Sequence, residues 1–424
     1  MLSTEDNSLL TRVSKGTAMN NLFRRFWLPV LLAAELPTPD CPPVRVRVLD
    51  EELVAFRDTN GRVGLLDQRC PHRHANLFWG RNEDGGLRCV YHGWKFDVTG
   101  RCVDIPNAIE GESFKEKIHA FAAYPAVDNG GLIWAYLGPP ELEPQLPHFE
   151  FAHVADNQRF VRKMLLPGNY LQIMEGDVDS SHVSFLHHAG VAPKGVMKIA
   201  GAASPYMVLN RQPHWEIENT DYGVRLAARR DAEPDTYYWR VNQWCMPSYA
   251  IIAAEAEALI HINIRVPVSD TETMYFRLWW HPERPLTELE VDELESGGVI
   301  MPDMIPGTFL TAENMRNDYL IDRSKQGSGA SYTGIKSISA QDFAVQEDQG
   351  GPIMDRSLEH LVSSDAAIIA VRKRLLDATK ALADGVEPPE AADGDLYRVR
   401  SLDTILPRDV PLAVGGRDLM TARV

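Results

Sequence analysis

The chain has 424 residues, of which 44% are hydrophobic and 24% are charged, a balance typical of a globular protein with two or three domains. Its 59 acidic and 43 basic side chains give a net charge of −16. This excludes a dedicated nucleic-acid-binding protein, which needs a basic face for phosphates. No run of about 18 apolar residues occurs, so we expect no membrane span. Five cysteines do not suit a secreted disulfide framework, and we expect a cytoplasmic protein.

The first part of the chain changes pattern near residue 40. Residues 1–40 favour helices, whereas valines at every second position over residues 44–48 predict a half-buried strand. Further short apolar runs follow between turn signals such as Asn60-Gly61. Residues 1–150 are therefore predicted to form a helical segment followed by a small antiparallel β domain.

The second part, residues 151–424, is predicted to be a larger domain. Residues 169–188 fit a single helix, and strands are predicted at 237–244, 261–268 and 274–280. Helices are predicted again at about 311–322 and at 363–382. The predicted fold class is α+β, in which an antiparallel sheet of the larger domain is packed by helices.

Two short cysteine-histidine pairs are the sharpest signal for a metal centre. Cys70 and His72 form a C-x-H pair, and Cys89 and His92 form a C-x-x-H pair. Each pair is short enough for one tight loop, so two loops can close on one centre. Two thiolates and two imidazoles suit either a tetrahedral zinc or a Rieske [2Fe-2S] cluster. The C-x-H pair is unusual for zinc fingers, which favours the cluster.

The residues around these pairs resemble a known family. The runs C-P-H-R-H-A-N and C-x-Y-H-G-W-x-F-D-x-x-G resemble the Rieske domain of the Rieske non-haem iron oxygenases. The resemblance implies that a [2Fe-2S] cluster is held by Cys70, His72, Cys89 and His92. It leaves His74 outside the ligand positions, in a supporting or surface role.

A second metal centre is predicted in the larger domain. His182 and His187 are a little over one helical turn apart, and a distant carboxylate would complete a 2-His-1-carboxylate triad for Fe(II). The run N-x-x-Q-x-x-E-x-x-x-D-x-x-H-x-x-x-x-H, which contains Asp179, resembles the catalytic domain of the phthalate dioxygenase-like branch. The run Q-D-x-x-V-x-E-x-Q-G resembles the segment of that branch whose Asp binds iron, which implies Asp342. By chemistry alone, Glu347 and Asp348 are rivals.

The resemblance also implies how the two centres cooperate. Members of the family are terminal oxygenases that use O₂, and we expect a homotrimer or a stacked hexamer. In this arrangement Asp179 is implied to link His182 to the His92 of a neighbouring subunit. The resemblance implies an NAD(P)H-dependent flavin and iron-sulfur reductase as the partner. The chain shows no G-x-G-x-x-G fingerprint after a strand, so we expect its electrons to come from such a partner. The alternative is a Rieske-type electron-transfer protein without oxygenase chemistry of its own.

The substrate is specified only as a class. The branch implies an aromatic carboxylate of the phthalate, phenoxybenzoate or lignin-derived biaryl type, oxidised by ring hydroxylation or by O-demethylation. Arginine binds a carboxylate through two parallel hydrogen bonds. Among the arginines of the larger domain, Arg211 and Arg240 are our candidates for this contact.

Overall fold

The computed structural model describes residues 2–109, 115–188, 199, 204–255, 258–295 and 297–423. Its α-helices are α1 Thr4–Thr11, α2 Ala18–Phe23, α3 Tyr170–Val178, α4 Tyr206–Leu209, α5 Glu288–Glu295, α6 Arg323–Ser328, α7 Ile338–Glu347, α8 Ala366–Ala383 and α9 Leu412–Gly415. Within the described residues, none of the helices combines the length and the apolar character that a membrane crossing requires.

Three small antiparallel sheets occupy the first part of the chain. Their strands are β1 Trp27–Leu32, β2 Val44–Val48, β3 Glu51–Arg57, β4 Val63–Asp67, β5 Arg81–Glu83, β6 Gly86–Arg88, β7 Lys95–Phe96, β8 Cys102–Asp104, β9 Ala123–Tyr124, β10 Ala126–Asn129 and β11 Leu132–Tyr136. The sheet orders are β1-β11-β10, β2-β3-β4-β9 and β5-β6-β7-β8. In the sheet β5-β6-β7-β8, the loop between β6 and β7 carries Cys89 and His92.

One large antiparallel sheet forms the second part. Its strands are β12 Arg159–Pro167, β13 His214–Thr220, β14 Gly223–Asp231, β15 Thr236–Cys245, β16 Tyr249–Ile252, β17 Ile260–Ser269, β18 Glu272–Trp280 and β19 Leu402–Pro407. The order is β12-β18-β17-β16-β15-β14-β13, with β19 paired to β15. Helix α3 packs against β16, β17 and α7, which places the end of α3 over this sheet. The predicted α+β class is confirmed.

The two parts are joined by hydrogen bonds and by a shared core. The backbone N–H groups of Leu49 and Asp50 donate to Pro267 and Val268 at 2.9 Å each. One hydrophobic cluster runs through both parts, from the N-terminal helices and β11 to the inner strands of the large sheet and α8. The small sheets therefore pack directly against the large sheet, next to the end of β17.

Two predictions about secondary structure outside the candidate site were wrong. Strand β1 lies in the region predicted to be helical, and its Pro29 is accommodated because β1 is an edge strand with an irregular register between Pro29 and Leu31. The helix predicted at 311–322 is replaced by a 3₁₀ turn, Met315–Leu320, in which Asp318 and Tyr319 have φ of 50° and 51°. Left-handed backbone at two consecutive residues ends any regular helix.

Candidate functional site

The cysteine-histidine pairs lie on two tight loops with the same hydrogen-bond pattern. In the first loop, the N–H of Cys70 donates to Ala75 at 2.9 Å and its carbonyl accepts from His74 at 2.8 Å. In the second, the N–H of Cys89 donates to Trp94 at 2.8 Å and its carbonyl accepts from Gly93 at 2.9 Å. Both loops therefore close with the same backbone pattern, within which the histidine stands two residues after Cys70 and three residues after Cys89.

Gly93 is required at its position in the second loop. Its φ of 80° is left-handed, and a Cβ atom there would lie 2.5 Å from Cγ of Pro106. Any side chain would both strain the backbone and push Pro106 away. The glycine of the sequence motif is therefore explained by the shape of the loop.

The structure brings all four side chains together. Cys70 and Cys89 are buried and are free thiols, and the imidazole rings of His72 and His92 lie 4.4 Å apart between centroids. His72 stacks on Trp94 at 4.3 Å with an angle of 5° between the planes. The apolar residues packed around the cysteines exclude water from the sulfur atoms.

The protonation of the two cysteines is linked by a hydrogen bond between their thiols. This hydrogen bond lowers the pKa of Cys89 to about 6, towards the thiolate that binds metals, and raises the pKa of Cys70. Burial, followed by the charges of His92 and Arg73, lowers the pKa of His72 and keeps its imidazole neutral. The buried Nδ1 atom of His72 has no hydrogen-bond partner among the described residues, as expected of an atom reserved for a metal.

His74 lies outside this group. It is exposed, has a φ of 59°, and its ring contacts the ring of Phe121 edge-on at 5.3 Å. The surface role is the one its position supports.

The histidines of the second centre do not lie on one long helix, contrary to the prediction for residues 169–188. Helix α3 ends at Val178, and the Asp179 carboxylate accepts hydrogen bonds from the backbone N–H groups of Ser181 at 2.6 Å and His182 at 3.3 Å. This local bonding competes with the helical pattern and turns the chain. His182 therefore begins a 3₁₀ turn, and His187 follows that turn.

The turn brings both histidines to Asp342 on α7. Oδ1 of Asp342 lies 3.6 Å from Nε2 of His182 and 3.2 Å from Nε2 of His187. The candidate ligand atoms of the three residues all lie within 4.8 Å of one another, the one such group of three found among the described residues. Glu347 lies elsewhere, where it accepts a hydrogen bond from the hydroxyl of Tyr319.

The distances between the three candidate ligand atoms, and the absence of a hydrogen-bond partner for one of them among the described residues, fit a divalent metal ion. Two ligand atoms that bind at right angles with bonds of about 2.1 Å lie about 3 Å apart, close to the separations found here. The Oδ1 atom of Asp342 is buried and has no hydrogen-bond partner among the described residues. Burial alone would raise the pKa of Asp342, but the nearby His187 and His182 have the larger combined effect, and the pKa is lowered overall. The group is therefore an ionised carboxylate, as a metal ligand must be.

Each histidine is oriented by a neighbouring side chain. Nδ1 of His187 lies 2.9 Å from Oε1 of Gln341, whose amide nitrogen donates to Ile335. Nδ1 of His182 lies 3.5 Å from Oδ2 of Asp179. Contacts of this kind fix the ring orientation of a metal-binding histidine and leave Nε2 for the metal.

The other residues of the motif before His182 build the scaffold. Asn169 caps α3 and also donates to the carbonyls of Thr11 and Asp270. The buried Glu175 accepts hydrogen bonds from Arg356 and Arg372, which tie α3 to the C-terminal segments. These residues hold the turn that carries the histidines.

A polar cavity of about 60 Å³ adjoins the triad, and Arg240 lines it. The other lining residues are Gly176, Asp177, Asp179, His182, Val183, His187, Asn242, Ile252, His261, Asn263, Arg277, Ile338 and Asp342. Arg211 lies outside this cavity: it is exposed, and its guanidinium is 4.9 Å from the ring centroid of Phe185. The structure therefore brings one of the two candidate arginines to the triad.

Sequence reasoning missed His261 and Arg277. Polar residues at every second position of β17 and β18 (His261, Asn263 and Arg265, then Arg277) carried the signal, which is usually that of a solvated strand face. In the structure this face is buried, with α3 packed over β17 and Ser339 of α7 accepting a hydrogen bond from Arg277. Two of these buried polar residues are paired with Asp177, whose carboxylate accepts hydrogen bonds from Asn263 at 2.6 Å and from Arg265 at 2.8 Å.

Comparison with known proteins matches both parts of the chain. Residues 26–118 match the Rieske [2Fe-2S] domain, and residues 135–415 match the family described as LigXa C-terminal domain like. The chain is 38% identical over 412 residues to the 3-chlorobenzoate-3,4-dioxygenase oxygenase subunit of Comamonas testosteroni, which covers 94% of this chain and 93% of that protein. It is 35% identical to the phthalate 4,5-dioxygenase oxygenase subunit of Pseudomonas putida, over 97% and 94% of the two chains.

A solved structure has the same fold. The structure of Pseudomonas putida CBB5 NdmA with caffeine aligns with a TM-score of 0.61 at 19% identity and covers 93% of this chain and 100% of its own. An electron carrier would have no use for the second centre, and the similar proteins are oxygenase subunits of multicomponent systems that depend on a reductase and O₂. The chain belongs to the Rieske non-haem iron oxygenases, in the phthalate dioxygenase-like branch, as an oxygenase subunit whose cofactors are a Rieske [2Fe-2S] cluster and a mononuclear iron.

Proposed function

We propose that this oxygenase acts on an aromatic carboxylate whose acidic group is bound by Arg240. The observation that carries the proposal is the position of the Arg240 guanidinium, which is buried and lines the same cavity as His182, His187 and Asp342. A carboxylate held there fixes the substrate beside the metal ligands. The two similar proteins named for chlorobenzoate and phthalate support the class.

The ligand assignments are part of this proposal. Cys70, His72, Cys89 and His92 would hold the [2Fe-2S] cluster, and His182, His187 and Asp342 would hold the iron, for the geometric reasons given above. When bound, the iron supplies the open positions at which O₂ and substrate meet, and the cluster supplies single electrons. The chain's own residues orient these ligands: Gln341 holds His187, and Asp179 holds the turn of His182.

We further propose that electrons pass between copies of the chain in a homotrimer or a stacked hexamer. His92 is half-buried next to Tyr91 and Val90, whose side chains are exposed, so the histidine edge of the first centre is open to a neighbour. Asp179 is half-buried between His182 and the surface, and it would bind His92 of the adjoining copy. A carboxylate accepts hydrogen bonds from both imidazoles.

The remaining parts of the proposal concern organisation. Two domains meet near residue 150, since the small sheets end at Tyr136 and the large sheet begins at Arg159. The electron donor would be an NAD(P)H-dependent flavin and iron-sulfur reductase. The free cysteines support a cytoplasmic location, where thiols stay reduced.

The test is a substrate panel with the loaded enzyme and a surrogate reductase. Oxygen uptake would be followed with benzoate, phthalate, a phenoxybenzoate, a methoxybenzoate and the uncharged analogue toluene. We expect uptake with carboxylates, and formaldehyde only if the reaction is O-demethylation. Arg240→Gln should raise KM for the active acid about 10- to 100-fold, as expected for a charge-assisted hydrogen bond. Equal turnover of toluene would contradict the proposal.

A further inference from the structure

Arg230 of β14 contacts the chain on both sides of the two histidines of the second centre. Its Nη2 donates to the carbonyl of Ser180 at 2.8 Å, and its Nη1 donates to Oγ of the same residue at 3.1 Å. Its Nε donates to the carbonyl of Asn210 at 2.9 Å. Ser180 precedes His182 and His187 in the sequence, and Asn210 follows them. One guanidinium therefore joins the two ends of the segment from Ser180 to Asn210, which we call the histidine segment.

The environment of Arg230 is unusual for a charged side chain. Arg230 is fully buried, and in the part of the chain that the structure describes no carboxylate forms an ion pair with it. Burial lowers its pKa to about 10, so the guanidinium is still protonated at neutral pH. A buried arginine without an acidic partner is costly unless other acceptors satisfy its N–H groups. The two carbonyls and the hydroxyl are those acceptors, and the planar fork of an arginine can reach all three together.

Further contacts hold the histidine segment against the sheet. Oγ of Ser184 donates to the carbonyl of Met207 on α4 at 2.5 Å. Val183 and Met207 pack with Tyr238 of β15, the strand partner of Arg230. Arg230 is not among the described residues that line the polar cavity of Arg240. Its hydrogen bonds therefore serve the backbone of the histidine segment and not a substrate.

Ser180 is the residue through which Arg230 acts on the metal centre. It lies between Asp179 and Ser181, in the turn where the Asp179 carboxylate accepts hydrogen bonds from the N–H groups of Ser181 and His182. Holding Ser180 in place fixes the directions in which the side chains of Asp179 and His182 leave the backbone. Contacts that orient metal-binding side chains typically change metal affinity or activity about 10- to 100-fold.

We propose that Arg230 is a positioning residue for the iron centre, which joins the ends of the histidine segment and so keeps His182 and His187 in place beside Asp342. This inference rests on the proposed function, in which these three residues hold the iron. Arg230 itself contacts neither the metal ligands nor the cavity. Its loss loosens the histidine segment and weakens iron binding, whereas the cysteine-histidine loops, which are built from other segments, are unaffected.

The experiment measures Fe(II) binding to protein that keeps its cluster but whose mononuclear iron has been removed by a chelator. Anaerobic competition with the chelator gives the dissociation constant for Fe(II). Arg230→Met keeps most of the volume but removes every donor, and it should raise this constant about 10- to 100-fold. Arg230→Lys should raise it less, because an ammonium group can still reach one of the carbonyls.

The matched control is Arg229→Gln. Arg229 is the preceding residue of β14, so its side chain points to the opposite face of the sheet, where it lies over the ring of Tyr237 and 3.8 Å from Glu216. This control should bind Fe(II) as wild type does. Equal weakening in Arg229→Gln and Arg230→Met would overturn the proposal.

A spectroscopic measurement distinguishes positioning from general destabilisation. In Arg230→Met saturated with Fe(II), the EPR signal of the nitric oxide adduct should change shape, because the ligands are held less uniformly. The visible absorption of the cluster should stay that of wild type. An unchanged dissociation constant, or a raised constant with an unchanged EPR signal, would overturn the positioning role.

Two further variants keep the proposal testable if Arg230→Met loses its folded thermal transition. Ser180→Ala removes only the hydroxyl contact and should raise the dissociation constant about 3-fold, and Arg230→Lys should raise it further. Wild-type affinity in both would overturn the proposal. The ligand assignment is tested separately: it fails, and this inference with it, if Asp342→Asn binds Fe(II) as tightly as wild type. If Asp342→Asn loses iron and the Arg230 variants do not, the inference alone fails.

Discussion

The two metal-binding regions of this chain are constructed in opposite ways. In the region of Cys70 and Cys89, each cysteine-histidine pair lies within one short loop, and the buried surroundings are apolar. In the region of His182 and Asp342, the ligands come from distant segments, and the sheet beneath them carries buried charge. A centre that stores electrons needs only a rigid site from which water is excluded, whereas a centre that binds substrate needs polar groups that point into a cavity.

The largest expected effect is the loss of one centre alone. Cys89→Ser should remove the red-brown visible absorption and abolish turnover, because a hydroxyl is a poor ligand for a [2Fe-2S] cluster. Iron bound at the second centre should remain, since its ligands come from other segments. Metal analysis and the visible spectrum measure the two centres separately.

The matched control for this variant is Cys102→Ser. Cys102 is buried in the same apolar cluster as Cys70 and Cys89 but lies on β8, away from the two loops. The Cys102→Ser variant should keep the red-brown visible absorption. A colourless Cys102→Ser protein would show that the apolar cluster, and not the identity of the ligand, determines whether the cluster assembles.

The reciprocal change is Asp342→Asn. The amide cannot supply the negative charge that neutralises the metal, so we expect loss of the mononuclear iron and a fall in turnover of at least about 100-fold, with the visible spectrum intact. Glu347→Gln, on the same helix, should keep both iron and activity, because Glu347 pairs with Tyr319 and not with the histidines. Retention of iron in Asp342→Asn together with its loss in Glu347→Gln would reverse the assignment.

A smaller effect is expected where the two regions meet between subunits. Asp179→Asn should keep both metals and slow the transfer of electrons from cluster to iron about 10- to 100-fold, the usual range for a residue that orients a metal ligand. Stopped-flow measurement of cluster reoxidation with substrate and O₂ gives this rate directly. A rate equal to that of wild type would contradict the bridging role, and normal substrate binding in the variant would exclude a general structural defect.

The same contrast explains which features could be predicted from the sequence. The ligand pairs of the first centre lie within a few residues of each other, so spacing alone brings each pair to one loop. For the second centre, the sequence indicated the residues but not their geometry, because the Asp179 side chain turns the backbone before His182. The charges of β17 and β18 could not be distinguished from a solvated face, since they are buried by helices from distant parts of the chain: α3 over β17, and α7, whose Ser339 contacts Arg277. Arg277 was therefore invisible to sequence reasoning.

The smallest expected effect concerns the buried charge behind Arg240. Asp403 on β19 accepts a hydrogen bond from the hydroxyl of Tyr238 at 2.8 Å and lies 4.0 Å from Arg240. Burial raises the pKa of Asp403 to about 6, although Arg240 and Tyr238 lower it in part. Because the folded-state pKa is above the unfolded one, the stabilising effect of the protonated form is complete below about pH 4 and is lost as the pH rises through about 6.

Replacing Asp403 by Asn removes this titration. The stability of the variant relative to wild type should therefore increase by about 1 kcal/mol between pH 5 and pH 7, which corresponds to about 1 to 2 °C in the melting temperature. The exposed Asp409 provides the control, since Asp409→Asn should show the same pH dependence as wild type. A melting-temperature difference between Asp403→Asn and wild type that stays constant with pH would show that Asp403 is ionised throughout.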